Sequence, residues 1–165
     1  MRNYVKKGLI ATAAIAITAA VSVPSMAQMK QPTPEERANQ AVDTRQSVFK
    51  LLAFNMGPLG GMLRNLTPFD AATAKTNGEN IEALGKMIPA VFTMDTREFK
   101  VKTEALDRVW GAKATFDGKA NDLVVAAAAL IKAADSGDEG ATKAAMAGVG
   151  KACGSCHDDF RQDTK

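Results

Sequence analysis

The only two cysteines of this 165-residue chain and its only histidine lie within one five-residue run, Cys153-Gly154-Ser155-Cys156-His157. Two thiols three positions apart, followed directly by an imidazole, form the C-x-x-C-H pattern that attaches a c-type haem. The thiols can add across the two vinyl groups of a haem as thioethers, and the imidazole can then ligate the iron. The run therefore predicts one covalent haem c on Cys153 and Cys156, with His157 as an axial iron ligand.

Other uses of two cysteines fit this chain less well. A structural zinc site needs about four ligands, and the sequence has no second cluster of Cys or His. A thioredoxin-type redox pair lies beside a βαβ unit, whereas no strand pattern persists in this sequence. A disulfide between residues three positions apart is strained and closes only a very short loop.

The N-terminus has the pattern of a secretory signal peptide. Arg2, Lys6 and Lys7 precede an apolar run over residues 8–23, and a small-residue cleavage pattern ends at Ala27. The alternative is a membrane anchor, but a run of about sixteen residues is short for a bilayer span of roughly twenty. We expect cleavage near Ala27 and a mature protein in the periplasm with no membrane attachment.

Removal of residues 1–27 changes the charge of the chain. Lys and Arg total 21 against 18 Asp and Glu, and three of the basic residues lie in the predicted signal peptide, so 18 face 18 in the mature protein. A balanced chain gives no reason to expect nucleic acid or anionic membranes as partners.

Residues 28–165 are predicted to form one all-α domain. The first helix begins at Thr33-Pro34, where Thr33 and Glu36 form a capping box. Steps of three and four residues mark its inward stripe. The stripe consists of Ala38, Val42, Arg45, Phe49, Leu52, Met56, Leu59 and Leu63.

Three further helical segments follow. They run from about Asp70 to Pro89, from about Glu104 to Ala134 before Ser136-Gly137, and onward from the cap Asp138. Four helices joined mainly by short turns predict an antiparallel up-down-up-down bundle with the haem in its core. The longer link over residues 90–103 is expected to fold over a haem edge.

Arg45 is the one charged residue on the inward stripe of the first helix. An unpaired buried charge is costly, so this arginine needs an anion or must extend to water. A haem propionate is a suitable anion because guanidinium groups pair with carboxylates in a bidentate manner. The alternative is a slightly rotated stripe, with Arg45 paired to Asp43 or solvent.

The chain resembles the class II c-type cytochromes, and within them the cytochrome c′ branch. The residues that carry this resemblance are Arg45-Gln46, Trp110 and the run from Gly150 to Arg161. The resemblance covers essentially the whole mature chain and implies a four-helix bundle with one covalent haem c and no enzymatic activity. It also implies a homodimer that pairs through its first two helices, to which Leu51, Phe54 and Leu66 could contribute.

Phe49 occupies the position that divides this family. It lies four residues after Arg45, on the same helix face, where the resemblance places a methionine ligand in low-spin members. A phenyl ring cannot ligate iron, so the resemblance to cytochromes c′ implies a five-coordinate, high-spin haem. The alternative is a low-spin electron carrier of the cytochrome c-556 type, with a methionine such as Met56 as sixth ligand.

Four further residues are assigned by resemblance alone. The resemblance implies that Gln46 and Glu104 lie beside the propionates, that Phe92 packs on the distal side, and that Arg161 lies near His157. Glu104 and Phe92 match only across gaps in the preceding loop. A solvated arginine at a helix C-terminus is the alternative for Arg161.

Two functions follow from these predictions. One is binding of small diatomic ligands, nitric oxide or carbon monoxide, which the resemblance to cytochromes c′ implies. The other is electron transfer with periplasmic redox partners. A haem peroxidase is disfavoured, because the sole histidine is used as the predicted iron ligand and no second one can move protons.

Overall fold

Four long helices and one single-turn helix make up the fold that the computed structural model describes for residues 31–162. They are α1 (Pro34–Leu63), α2 (Ala71–Val91), α3 (Arg108–Gly111), α4 (Lys113–Asp135) and α5 (Glu139–Phe160). The predicted signal peptide, residues 1–27, lies outside the described residues.

The long helices form a ring, and α2 also contacts α5 across it. Contacts join α1 to α2, α2 to α4, α4 to α5 and α5 to α1. The turns after α1 and after α4 are short, as in an antiparallel bundle. The predicted all-α four-helix bundle is confirmed. Within residues 31–162, no helix combines the length and the hydropathy of a membrane span.

Local capping sets the ends of the helices. Thr33 and Glu36 form the predicted capping box at α1, each side chain accepting a hydrogen bond from the other's backbone N–H. The carboxylates of Asp70 and Asp138 cap α2 and α5 by accepting hydrogen bonds from backbone N–H groups of the first turn. Gly137, with a φ of 72°, makes the left-handed turn between α4 and α5.

The buried stripe of α1 is rotated slightly from the predicted one. Phe49, Met56 and Leu63 are only half-buried, and each lies next to a more deeply buried residue. Those neighbours are Val48, Asn55 and Met62. Burial of a polar Asn55 is possible because its side-chain oxygen accepts a hydrogen bond from Asn80 on α2, at 2.9 Å.

Two glycines allow α2 to approach α4 closely. A Cβ atom at Gly85 would lie 3.0 Å from Cγ2 of Val124, and one at Gly78 would lie 3.1 Å from Cγ1 of Ile131. These distances leave almost no room for a side chain.

The predicted end of α2 differs from the observed one. The sequence predicts that α2 ends at Pro89, whereas the helix continues for two more residues, to Val91.

The predicted start of the third helix, near Glu104, is wrong. Residues near Glu104 are not helical, because Ala105 pairs with Arg161 in an isolated antiparallel bridge. Gln162 N–H donates to the carbonyl of Glu104 at 2.7 Å, and Leu106 N–H donates to the carbonyl of Phe160 at 3.0 Å. The backbone groups of this segment are therefore satisfied by the end of the chain rather than by a helix of their own.

Candidate haem site

Both cysteines lie on one face of α5 and point toward the core. They are free thiols, each half-buried, and both pack against the hydrophobic cluster of the bundle. Burial raises the pKa of Cys153 and of Cys156, and Lys119 partly opposes the rise at Cys156. The two thiols lie about one helical turn apart on one face of α5, the spacing of the C-x-x-C-H pattern.

His157 follows the second thiol and faces a surface cleft of about 370 Å³. The cleft is lined by Leu106, His157, Asp158, Arg161 and Gln162. Burial, and then the cation of Arg161, lowers the pKa of His157. Both influences favour the neutral imidazole, which is the form that can ligate a metal.

The backbone of Arg161 is held by its antiparallel bridge with Ala105, the same pairing that leaves no helix near Glu104. Its guanidinium forms an ion pair with Glu104, with 2.8 Å between Nη2 and Oε2. Its side chain also lines the cleft of His157. The structure therefore brings Glu104, Arg161 and His157 together at one end of the bundle.

Arg45 is buried, with 2% of its surface exposed. Its Nε donates to the carbonyl of Val91 at 2.9 Å, and one terminal nitrogen donates to Oγ1 of Thr96, also at 2.9 Å. The other terminal nitrogen donates to the carbonyl of Met94. Arg45 points inward as predicted. The stripe is rotated as in the alternative, but the pairing of Arg45 with Asp43 or solvent is wrong, and its pairing with a propionate stays a prediction.

Three oxygens at or after the end of α2 accept hydrogen bonds from three of the five N–H groups of Arg45. Burial lowers the pKa of Arg45, while the negative charge of Asp95 opposes that change. Its partners all lie at or after the end of α2, so the arginine holds the α2–α3 link onto α1. Gln46 adds a second attachment, because its side-chain nitrogen donates to the carbonyl of Lys102 at 3.1 Å.

Phe49 and Phe92 meet beside Arg45. Their ring centroids lie 6.1 Å apart at an interplanar angle of 65°, an edge-to-face contact. Phe92 is buried at the end of α2, and its ring also contacts Trp110 and Phe116. The predicted neighbours Arg45, Phe49 and Phe92 therefore form one group, with the guanidinium carbon of Arg45 4.7 Å from the Phe92 ring centre.

The donor set and its surroundings fit a haem c. Two thiols on one face of α5 pack against the apolar core, and an imidazole follows them on the same helix. The buried Arg45 carries a positive charge of the kind that pairs with carboxylates such as propionates. The buried indole nitrogen of Trp110 has no hydrogen-bond partner within residues 31–162, as expected of a group that meets an acceptor on a cofactor.

Two contacts of the site were not foreseen from the sequence. Thr96 is fully buried and holds Arg45, although a threonine in a loop gives no sign of burial. Lys119 on α4 donates to the hydroxyl of Ser155, between the two cysteines, and forms an ion pair with Asp159 at 3.2 Å. Its spacing of three residues from Phe116 could have indicated that it borders the buried face of α4.

Comparison with known proteins gives the family. The model of the family described as Cytochrome C' matches residues 40–161. Cytochrome c-554 of Cereibacter sphaeroides is 32% identical over 152 residues, covering 90% of this chain and 95% of its own.

Two solved structures are similar over nearly their full length. Cytochrome c prime from Shewanella frigidimarina is 40% identical with a TM-score of 0.70, covering 76% of this chain and 97% of its own. A nitric oxide complex of a variant of cytochrome c prime from Alcaligenes xylosoxidans is 31% identical with a TM-score of 0.68 and the same coverage. The chain thus belongs to the cytochrome c′ family and carries a covalently attached haem c.

Proposed function

We propose that this protein binds small diatomic gases, nitric oxide and carbon monoxide, at a five-coordinate haem iron. In this proposal Cys153 and Cys156 hold the haem and His157 is the only axial ligand that the protein supplies. When bound, the haem supplies an iron that can change its oxidation state by one electron and accept a diatomic ligand.

The position of Phe49 is the observation that carries the proposal. Its ring lies one helical turn after Arg45 and is held edge-to-face by Phe92. Neither ring has an atom that can ligate iron or donate a hydrogen bond, and the sole histidine is His157. Phe49 and Phe92 form an apolar wall that favours small neutral ligands over water and anions. The nitric oxide complex of the similar cytochrome c prime supports this assignment.

The alternative function is electron transfer by a low-spin haem with a methionine ligand. Met56 favours it, because this residue is half-buried on α1 two turns beyond Phe49 and packs against the core. The absorption spectrum of the reduced protein separates the two functions. We expect broad high-spin bands that sharpen when carbon monoxide is added, whereas sharp low-spin bands without added ligand would support the carrier.

The attachment of the haem can be tested directly. Denaturation and mass measurement should show the haem on the native chain, and Cys153→Ala with Cys156→Ala should release it. A haem that remains attached to the double variant would overturn the assignment of these residues. We do not assign an enzymatic activity, because the sole histidine is used as an iron ligand and no second one can move protons.

We further propose that the protein is exported to the periplasm after cleavage near Ala27. The basic start, the apolar run over residues 8–23 and the small residues Ser25 and Ala27 support this location, as does the chemistry of C-x-x-C-H attachment. N-terminal sequencing of the native protein tests it, since a start at residue 28 is expected and an intact Met1 would contradict it. We also propose that the haem exchanges electrons with redox partners in the periplasm.

A further inference from the structure

The side chain of Trp110 has a buried hydrogen-bond donor that finds no acceptor among residues 31–162. Its indole Nε1 is the one buried side-chain polar atom within residues 31–162 that has no hydrogen-bond partner. An indole nitrogen can only donate, so a neighbouring donor cannot satisfy it. Buried donors in folded proteins nearly always have an acceptor, and an exception calls for a ligand or another unseen partner.

The charges around Trp110 indicate which kind of acceptor this is. The guanidinium carbon of Arg45 lies 5.3 Å from the ring centre of the indole, and that of Arg97 lies 6.0 Å from it. Arg97 is paired with the carboxylate of Asp95, whose charge also acts on Arg45. Within residues 31–162, Arg45 forms no ion pair of its own and donates only to neutral oxygens at or after the end of α2. The buried guanidinium of Arg45 is therefore the cation beside the indole that forms no ion pair within residues 31–162, and an anionic oxygen acceptor suits that position.

Trp110 is also connected to the haem-binding residues by ring contacts. Its ring is 6.3 Å from that of Phe92, which contacts Phe49 and Phe116. Phe116 in turn contacts Phe160, one turn after Cys156 on α5. This continuous aromatic cluster connects the indole to the helix that carries the haem.

We propose that the indole N–H of Trp110 donates a hydrogen bond to a propionate carboxylate of the haem, beside Arg45. The inference rests on the haem placement proposed above. In this role Trp110 is a positioning residue. Arg45 supplies positive charge to the propionate, and the indole N–H of Trp110 supplies a neutral donor with a fixed direction. A phenylalanine would fill much of the same space in the cluster, so the nitrogen is the part of the side chain that this role requires.

The native holoprotein gives the first test. Trp110 is the only tryptophan of the chain, so every indole signal comes from it. Ultraviolet resonance Raman spectra respond to hydrogen bonding at the indole N–H, and we expect the bands of a strongly hydrogen-bonded indole. Bands of an indole without a hydrogen bond would overturn the proposal.

The variant Trp110→Phe gives the second test and distinguishes the propionate from a water molecule as acceptor. We expect the propionate bending band of the haem to shift and the midpoint potential to fall, because an unshielded carboxylate charge favours the ferric iron. Phe69→Leu is the control, since it trims a partly buried ring at the α1–α2 turn without removing a donor and should change neither value. Native values of both in Trp110→Phe would overturn the proposal.

The outcome separates this inference from the proposed function. A native chain with no covalent haem by mass would overturn both. A native chain with covalent haem and an indole free of hydrogen bonds would overturn only the inference about Trp110.

Discussion

The guanidinium group of Arg45 stacks on the ring of Phe92, with 4.7 Å between the guanidinium carbon and the ring centre. The two residues are far apart in sequence, since Arg45 lies on α1 and Phe92 directly follows α2 as its C-cap. The same guanidinium donates to three oxygens of the segment around Phe92. Arg45 therefore stabilises the loop after α2 as well as presenting charge to the proposed haem site.

Replacing Arg45 by methionine should destabilise the holoprotein considerably. The change keeps most of the side-chain volume but leaves the carbonyls of Val91 and Met94 and the hydroxyl of Thr96 without their donors. We expect the free energy of unfolding to fall by about 3 kcal/mol, because buried hydrogen bonds of a charged group are lost and their acceptors remain buried. Guanidinium chloride titration measures the change.

Lys50→Met is the matched control for that variant, because Lys50 is exposed on the same helix. Its effect should stay within about 0.5 kcal/mol. Equal stabilities of the two variants would contradict the assigned contacts of Arg45.

Most of the fold was predictable from local signals. The capping box at Thr33, the caps Asp70 and Asp138, and the left-handed Gly137 act within a few residues of the chain, so they can be recognised in sequence. The C-x-x-C-H run is equally local. Its placement on one face of α5 follows from helical spacing alone.

The features that sequence could not predict depend on contacts between distant residues. Ala105 is extended because Arg161 pairs with it, and nothing near Ala105 in sequence indicates this. The hydrogen bond that Asn80 donates to Asn55 permits an amide in the core. The apolar periodicity of the sequence predicted Met56 at that place instead. The unpartnered nitrogen of Trp110 is visible only when burial is known atom by atom.

Gly85→Ala and Gly148→Ala should change stability in opposite directions. A methyl group at Gly85 would lie 3.0 Å from Val124 and force α2 away from α4, so a loss of about 1–2 kcal/mol is expected even after the gain in helix propensity. Nothing lies within 4 Å of a methyl group at Gly148 on α5, so a gain of about 0.5–1 kcal/mol is expected. Thermal unfolding measures both, and a stabilising Gly85→Ala would contradict the close helix contact.

Phe54→Glu should disrupt the proposed homodimer. Phe54 on α1 is 75% exposed, and Leu51 and Leu66 are also exposed, as a paired α1–α2 face requires. Val125→Glu is the control, because Val125 is similarly exposed but lies on α4. Light scattering after size-exclusion chromatography should give a dimer for the native protein and the control and a monomer for Phe54→Glu. A monomeric native protein, or a monomer only for Val125→Glu, would contradict the proposed interface.

Phe49→Met should convert the proposed gas-binding site into that of an electron carrier. A methionine at this position of α1 supplies a thioether where the native ring supplies none, one turn after Arg45 and beside Phe92. If Phe49 faces the iron, the reduced variant should show sharp low-spin bands. Its affinity for carbon monoxide should fall at least about tenfold, because the gas must displace a protein ligand, a cost of about 1.4 kcal/mol.

Phe49→Leu is the control for that change, because leucine is apolar and cannot ligate iron. It should keep the broad high-spin spectrum and should bind carbon monoxide no more weakly than the native protein, since a smaller side chain opens space on that wall. A high-spin spectrum for Phe49→Met would mean that position 49 does not address the iron, and the five-coordinate proposal would then lose the residue on which it depends.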